Sequence, residues 1–219
     1  MNEIWNYLQQ NRDAVLDALG QHVVLAVLPL LIGVLLALPV GYLGVRFGWL
    51  YHPILNVSGV IYAIPSLAVF VALPYVLGTQ ILSPVNIVVA LAIYTLALMA
   101  RTVADGLRSV DPALTEAATA MGYQRTRRLL EVELPLAAPV ILAGVRVAAV
   151  SNISLVSVGA LLGVGGLGAL FTRGFQLFYT APIVVGIVLS VLLAAIADLL
   201  IVLFQRAVTP WTRVAAGRN

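Results

Sequence analysis

Five long apolar runs, at about residues 22–45, 54–78, 84–104, 134–160 and 181–205, decide what this chain can fold into. A membrane-crossing helix needs ~20 apolar residues, and each run is long enough. In hydrocarbon every backbone N–H and C=O must be satisfied within the structure, which leaves helices and closed barrels. Runs of this length predict an all-α integral membrane protein, a five-span helical bundle. Composition agrees: 62% of residues are hydrophobic, 10% are charged, and mean hydropathy is +1.05. A soluble domain carries about 25% charged residues. The second run contains Pro65 and Pro74 and is expected to be kinked or broken, because proline removes a backbone donor.

Arginine placement gives an orientation, since basic residues concentrate on the cytosolic side. With the polar loop 105–133 in the cytosol, five spans put the N-terminus outside and the C-terminus inside. Arg46, Arg101, Arg108, Arg125, Arg127, Arg128, Arg206, Arg213 and Arg218 then lie inside, and Arg12 and Arg173 outside. Splitting 134–172 into two crossings would put the arginine-bearing C-terminus outside, so 161–180 reads as an external re-entrant or surface segment. The domain plan is an interfacial amphipathic segment over 1–20, one transmembrane domain over 21–210, and a cytosolic tail over 211–219. Ile4, Leu8, Val15 and Leu19 give the first segment its helical spacing. A disordered tail is the competing reading. The charges Glu3, Arg12, Asp13 and Asp17 argue against a cleaved signal peptide.

Gly33, Ala37 and Gly41 recur every fourth residue in the first span, followed by Gly44 and Gly48. Small residues at that spacing let helix backbones approach closely. The chain has no cysteine, which excludes disulfides and thiolate metal sites. His22 and His52 are too far apart to suggest a metal pair, and both read as interfacial residues. Gly163, Gly165 and Gly168 satisfy G-x-G-x-x-G. They follow an apolar helix, whereas a dinucleotide fingerprint follows a strand. A flexible external loop is the better account, and nothing points to nucleic acid.

The loop carries the sharpest motif. It reads E-A-A-T-A-M-G from Glu116 to Gly122, then nine residues, then V-E-L-P from Val132 to Pro135. This spacing resembles the EAA loop of permease subunits of ATP-binding-cassette importers, with Val132 in place of isoleucine. Other stretches resemble the osmoprotectant branch of those permeases: His22–Gly41 in the first span, I-P-S-L-A-V-F from Ile64 to Phe70, V-D-P-A-L-T from Val110 to Thr115, Leu134–Arg146, and G-V-G-G-L-G from Gly163 to Gly168.

The resemblance implies the type I importer permease (MetI-like) fold and a multi-pass place in the bacterial plasma (inner) membrane, among membrane lipid. It implies a substrate class of quaternary amines such as glycine betaine, choline and carnitine. It also implies partners: two cytosolic ATPase subunits, a second permease subunit giving a homodimer or heterodimer, and an external substrate-binding protein. Glu116, Ala117, Ala118, Gly122, Leu134 and Pro135 would form the ATPase-docking set. The chain would be no enzyme and hold no cofactor, with ATP bound by the partner subunits. The absence of lysine fits this, because the G-x4-G-K-[ST] phosphate loop cannot be built.

The residues add their own reading. Asp111 can cap a helix starting at Pro112, and Gly122 can end it in the left-handed conformation. Arg125, Arg127 and Arg128 serve either topology or ATPase salt bridges. Ser151, Asn152 and Ser154, with Pro65 and Ser66, either line a translocation path or bond between helices. Tyr62 and Tyr94 either meet a quaternary ammonium through cation–π contact or pack. Arg146 and Asp198, each costly alone at membrane depth, are expected to pair across adjacent spans. The alternative is that Arg146 snorkels while Asp198 faces the pathway. Other functions stay open: a permease for amino acids or other small solutes, a membrane-embedded enzyme, or a passive channel.

Overall fold

A computed structural model describes residues 2–211. Of the expected tail 211–219, the residues past Trp211, with Arg213 and Arg218, lie outside the described residues. The described residues form helices and no strand. In chain order they are α1 (Asn2–Gln10), α2 (Arg12–Arg46), α3 (Gly48–Ala63), α4 (Ser66–Leu77), α5 (Pro84–Arg108), α6 (Pro112–Ala120), α7 (Arg125–Arg128), α8 (Leu134–Gly159), α9 (Gly168–Gln176) and α10 (Thr180–Val208). A π-helical turn, Leu129–Glu133, joins α7 to α8, and a 3-10 turn, Ala160–Leu162, follows α8.

Among the described residues four helical segments are long and apolar enough to cross a membrane, and α3 with α4 makes five if that bent pair counts as one crossing. Ile64 and Pro65 are extended at the break, where the axis bends by 99°. Proline both disfavours helix at the residue before it and removes a donor, which accounts for the interruption.

The N-terminal segment is not one separate helix: residues 12–20 are the first turns of α2, which runs unbroken to Arg46 over 35 residues. Ala, Leu, Asp and Gln tolerate helix there, and nothing terminates it before Pro29, which the helix absorbs. Only α1 is separate, and it is packed on the bundle rather than loose. Tyr7 is buried with Leu167, Leu170, Ala181 and Val185, and its ring meets Tyr179 edge-on at 5.8 Å.

The core is the crossing of α2 on α5. Ala90, Leu91, Met99 and Val103 of α5 are fully buried. The small-residue stripe of α2 faces them. A Cβ added to Gly41 would lie 2.7 Å from the Val103 side chain and 2.9 Å from the Ala100 carbonyl oxygen. Gly33 is pressed equally hard onto Thr95 and Ala92. With no hydrophobic drive between helices in lipid, such close packing is the main attraction available.

Candidate functional site

The expected docking loop is built as two short helices leading into a long apolar one. The Asp111 carboxylate accepts from the Ala113 N–H at 2.9 Å, and Pro112 takes the first helical position of α6. Gly122 closes it at φ +87, with the Tyr123 N–H bonding the Ala118 carbonyl at 3.1 Å. Within this frame Glu116, Ala117 and Gly122 are exposed, and Leu134 and Pro135 are half-buried. Ala118 is different: it is 1% exposed, so it seats α6 on the chain rather than presenting a side chain to a partner.

Two of the three loop arginines are engaged within the loop. The Arg128 guanidinium donates to Glu133 at 2.7 Å and to the Thr119 hydroxyl at 2.7 Å. Arg127 donates to Glu131 at 3.0 Å and lies over the Tyr123 ring. These links brace α6 against the foot of α8. Pro135 explains the π turn beneath it. Lacking an N–H, it cannot continue the i→i−4 ladder, and the Leu134 N–H bonds Leu129 five residues back. The helix therefore runs continuously from Arg125 to Leu162, so no boundary falls at residue 134. Leu114, Met121 and Leu130 are exposed on the loop, at 48%, 71% and 59%. The sequence reading passed over these three, although apolar residues in a polar loop are a signal readable from the sequence.

A second site lies at the α3–α4 break. A cavity of about 410 Å³ is lined by Tyr62, Pro65 and Ser66 from the break, Tyr94 from α5, and Ser151 and Ser154 from α8. Tyr94 donates to the exposed-end carbonyl of Ile64 at 2.7 Å. Its ring meets Tyr62 edge-on, centroids 5.8 Å apart. No charged residue lines the cavity. It offers hydroxyls, an aromatic wall and apolar surface, which suits a small solute without net charge or a cation held by π-faces.

The structure does not bring Asn152 into this cavity. Asn152 is 2% exposed and ties three helices, donating to the Ala26 carbonyl at 3.3 Å and exchanging bonds with Thr95 at 3.1 and 3.3 Å. One residue before it, Ser151 reaches the cavity; the 100° helical step turns the amide into the core.

Arg146 and Asp198 meet as a two-pronged ion pair, Nε to Oδ1 at 2.7 Å and Nη2 to Oδ2 at 2.9 Å. The pair joins α8 to α10, and each side chain stays more than a third exposed.

His22 was read as an interfacial residue, but it is fully buried. The Leu167 N–H donates to Nδ1 at 3.1 Å, so Nε2 carries the proton toward the Ile153 carbonyl at 3.0 Å. Gln21 grips the same loop, donating to the Val164 carbonyl at 2.9 Å and accepting from the Gly166 N–H at 3.0 Å. Gly163, Gly165 and Gly166 supply the positive φ values that let this loop fold under α2. The glycine-rich stretch is thus held in place by side chains and is not a nucleotide fingerprint.

The long apolar helices define a membrane-embedded helical protein. Residues 29–210 match the family model described as binding-protein-dependent transport system inner membrane component, and the chain belongs to that family. It is accordingly a multi-pass protein of the inner membrane. It is 33% identical to the choline transport system permease protein OpuBD of Bacillus subtilis (strain 168), over 99% of this chain and 95% of that one. It is 34% identical to the glycine betaine/carnitine/choline transport system permease protein OpuCD of the same organism, over 96% of this chain and 91% of that one. Among solved structures, an inward-facing MetNI methionine ABC transporter aligns with a TM-score of 0.80 at 23% identity, covering 89% of this chain and 96% of that one. That likeness establishes the MetI-like fold.

Proposed function

We propose that this chain is the permease subunit of an ATP-driven importer of osmoprotectants, quaternary amines such as glycine betaine, choline and carnitine. The observation that carries the reading is full-length similarity to permeases named for those compounds, 33% and 34% identical. The uncharged, tyrosine-walled cavity of about 410 Å³ is compatible with it. On this reading the chain pairs with a second permease subunit and receives solute from an external binding protein. Two cytosolic ATPase subunits bind the ATP and dock on Glu116, Ala117, Gly122 and the apolar residues around them. The N-terminus then lies outside and the C-terminus in the cytosol. Tyr62, Pro65, Ser66, Tyr94, Ser151 and Ser154 line the path.

Uptake into vesicles reconstituted with the ATPase and binding protein tests this. The expected result is uptake that needs both partners and is competed by quaternary amines. Uptake without ATP would mean a channel. Competition by amino acids alone would move the chain to another branch of the family.

A further inference from the structure

Away from the docking loop, a groove of about 310 Å³ opens between α1, α2 and α10. Leu8, Val15, Leu16, Leu19 and Leu189 make its walls, and Trp5 stands at the rim, 61% exposed. Gln9 and Arg12 are the polar residues lining it. Arg12 has no ion pair or hydrogen bond among the described residues.

Depth identifies the surroundings. Leu189 stands about 26 Å along α10 from Arg206, at 1.5 Å per residue, which keeps it inside a hydrocarbon layer ~30 Å thick. Leu19 lines the same groove and borders the same buried cluster. Arg12 stands about 10 Å above Leu19 on α2, at the level of the headgroups. Trp5 at that level behaves as an interface residue. The groove therefore has an apolar floor in the acyl region and one uncommitted guanidinium where phosphates lie.

We propose that this groove is a phospholipid site in the leaflet opposite the docking loop. One acyl chain lies along Leu16, Leu19 and Leu189, and the phosphodiester sits on Arg12. The guanidinium presents paired N–H donors that match two phosphate oxygens. Asp13 and Asp17 are exposed near Arg12 on α2, and Glu3 is exposed on α1. These carboxylates disfavour a headgroup of net negative charge. A zwitterionic headgroup, whose ammonium offsets them, fits better. The bound lipid would fill the gap between α1, α2 and α10. This inference is independent of which solute is carried.

The test is native mass spectrometry of the intact transporter, extracted in mild detergent and supplied with dioleoylphosphatidylethanolamine. The expected result is a phospholipid adduct on each copy of the chain. Arg12→Gln should weaken it about tenfold, the loss of one charge-assisted bond. Arg12→Lys, which keeps the charge but not the paired donors, should recover only part of it, and Leu16→Trp, which fills the groove, should abolish it. Phosphatidylglycerol should be retained less well. Adducts that persist in both Arg12→Gln and Leu16→Trp would overturn the site. So would equal retention of dioleoylglycerol, which has no phosphate. The chain lacks cysteine, so Leu16→Cys is a clean probe. A disulfide forming between two copies would show that the groove is covered by a second copy instead of lipid.

Discussion

Alanine in place of Gly41 tests whether backbone contact between α2 and α5 holds the bundle together. The new Cβ would lie 2.7 Å from the Val103 side chain and 2.9 Å from the Ala100 carbonyl oxygen. Carbon atoms pack best at about 3.5–4.0 Å, so the helices must part by roughly 1 Å there. Neither neighbour can swing aside, since Val103 is fully buried and the carbonyl belongs to the α5 backbone. Overpacking of this kind costs about 1–3 kcal/mol. Helix propensity works the other way, favouring alanine over glycine by about 1 kcal/mol. The same substitution at Gly20 or Gly59 meets nothing within 4 Å. There only the propensity gain remains. Gly41→Ala should therefore be less stable than Gly20→Ala by about 1–3 kcal/mol, the packing cost alone. Denaturant titration in detergent, followed by helical circular dichroism, measures the difference. Equal stability at the two positions would mean that α2 and α5 are not in backbone contact, and the central packing argument would fail.

Gly122→Val should strip the ATPase from the complex, because a β-branched residue at φ +87 costs about 1–2 kcal/mol and distorts the end of α6; co-purification reads this out, and normal recovery of the ATPase would refute it. Asp198→Asn and Arg146→Ala should each impair assembly or transport. The double variant should be less damaged than the two losses combined, because the groups share one bidentate contact; simple additivity would show that the pair has no joint role. Met121→Asp should weaken ATPase binding while leaving the thermal stability of the chain unchanged, since the side chain is 71% exposed and buries nothing within it; a matching fall in stability would place Met121 in the chain's own packing.

The parts of this molecule legible in the sequence are those with local causes. Pro65 broke the second run because proline acts on its own backbone and on the residue before it. Asp111, Pro112 and Gly122 marked the ends of α6 through capping chemistry that operates within four residues. The Gly33–Ala37–Gly41 stripe declared a close helix contact, although not the partner helix. Arg146 and Asp198 could be paired from depth, because Arg146 is counted from Pro135 and Asp198 from Arg206, each at the inner end of its span. What stayed hidden depends on rotation and on long-range partners. Ser151 and Asn152 are adjacent and equally polar, yet one faces a cavity and the other the core. His22 and Gln21 hold a loop more than 140 residues away, as the Gln21 contact with Val164 shows, and nothing near them announces it. The unbroken start of α2 at Arg12 was hidden for another reason. Its charged residues read as a separate segment, although one long helix simply continues through them.

The geometry also predicts how motion at the loop would reach the cavity. The loop is flanked by rigid helices on both sides. On one side the helix from Arg125 carries Ser151 and Ser154 about 39–44 Å away. On the other, α5 carries Tyr94 about 21 Å from Arg108. The third wall, the α3–α4 break, is not on either lever. It is tied to α5 at two places: Tyr51 donates to Asp105 at 2.7 Å near the loop, and Tyr94 donates to the Ile64 carbonyl at 2.7 Å in the cavity. These bonds, with the packing of Phe70 and Leu73 of α4 in one cluster with Ile87 and Leu91 of α5, couple a displacement of α5 to the break. Tyr94→Phe keeps the ring packing against Tyr62 and removes the second tie, a loss of about 0.5–1.5 kcal/mol in a neutral hydrogen bond. The expected phenotype is ATPase activity that still responds to the binding protein, with uptake per ATP hydrolysed falling severalfold. Tyr51→Phe, at the other tie, should show the same ratio change. If both variants lower hydrolysis and uptake in equal proportion, the tyrosines only stabilise the fold, and the break moves by some other connection.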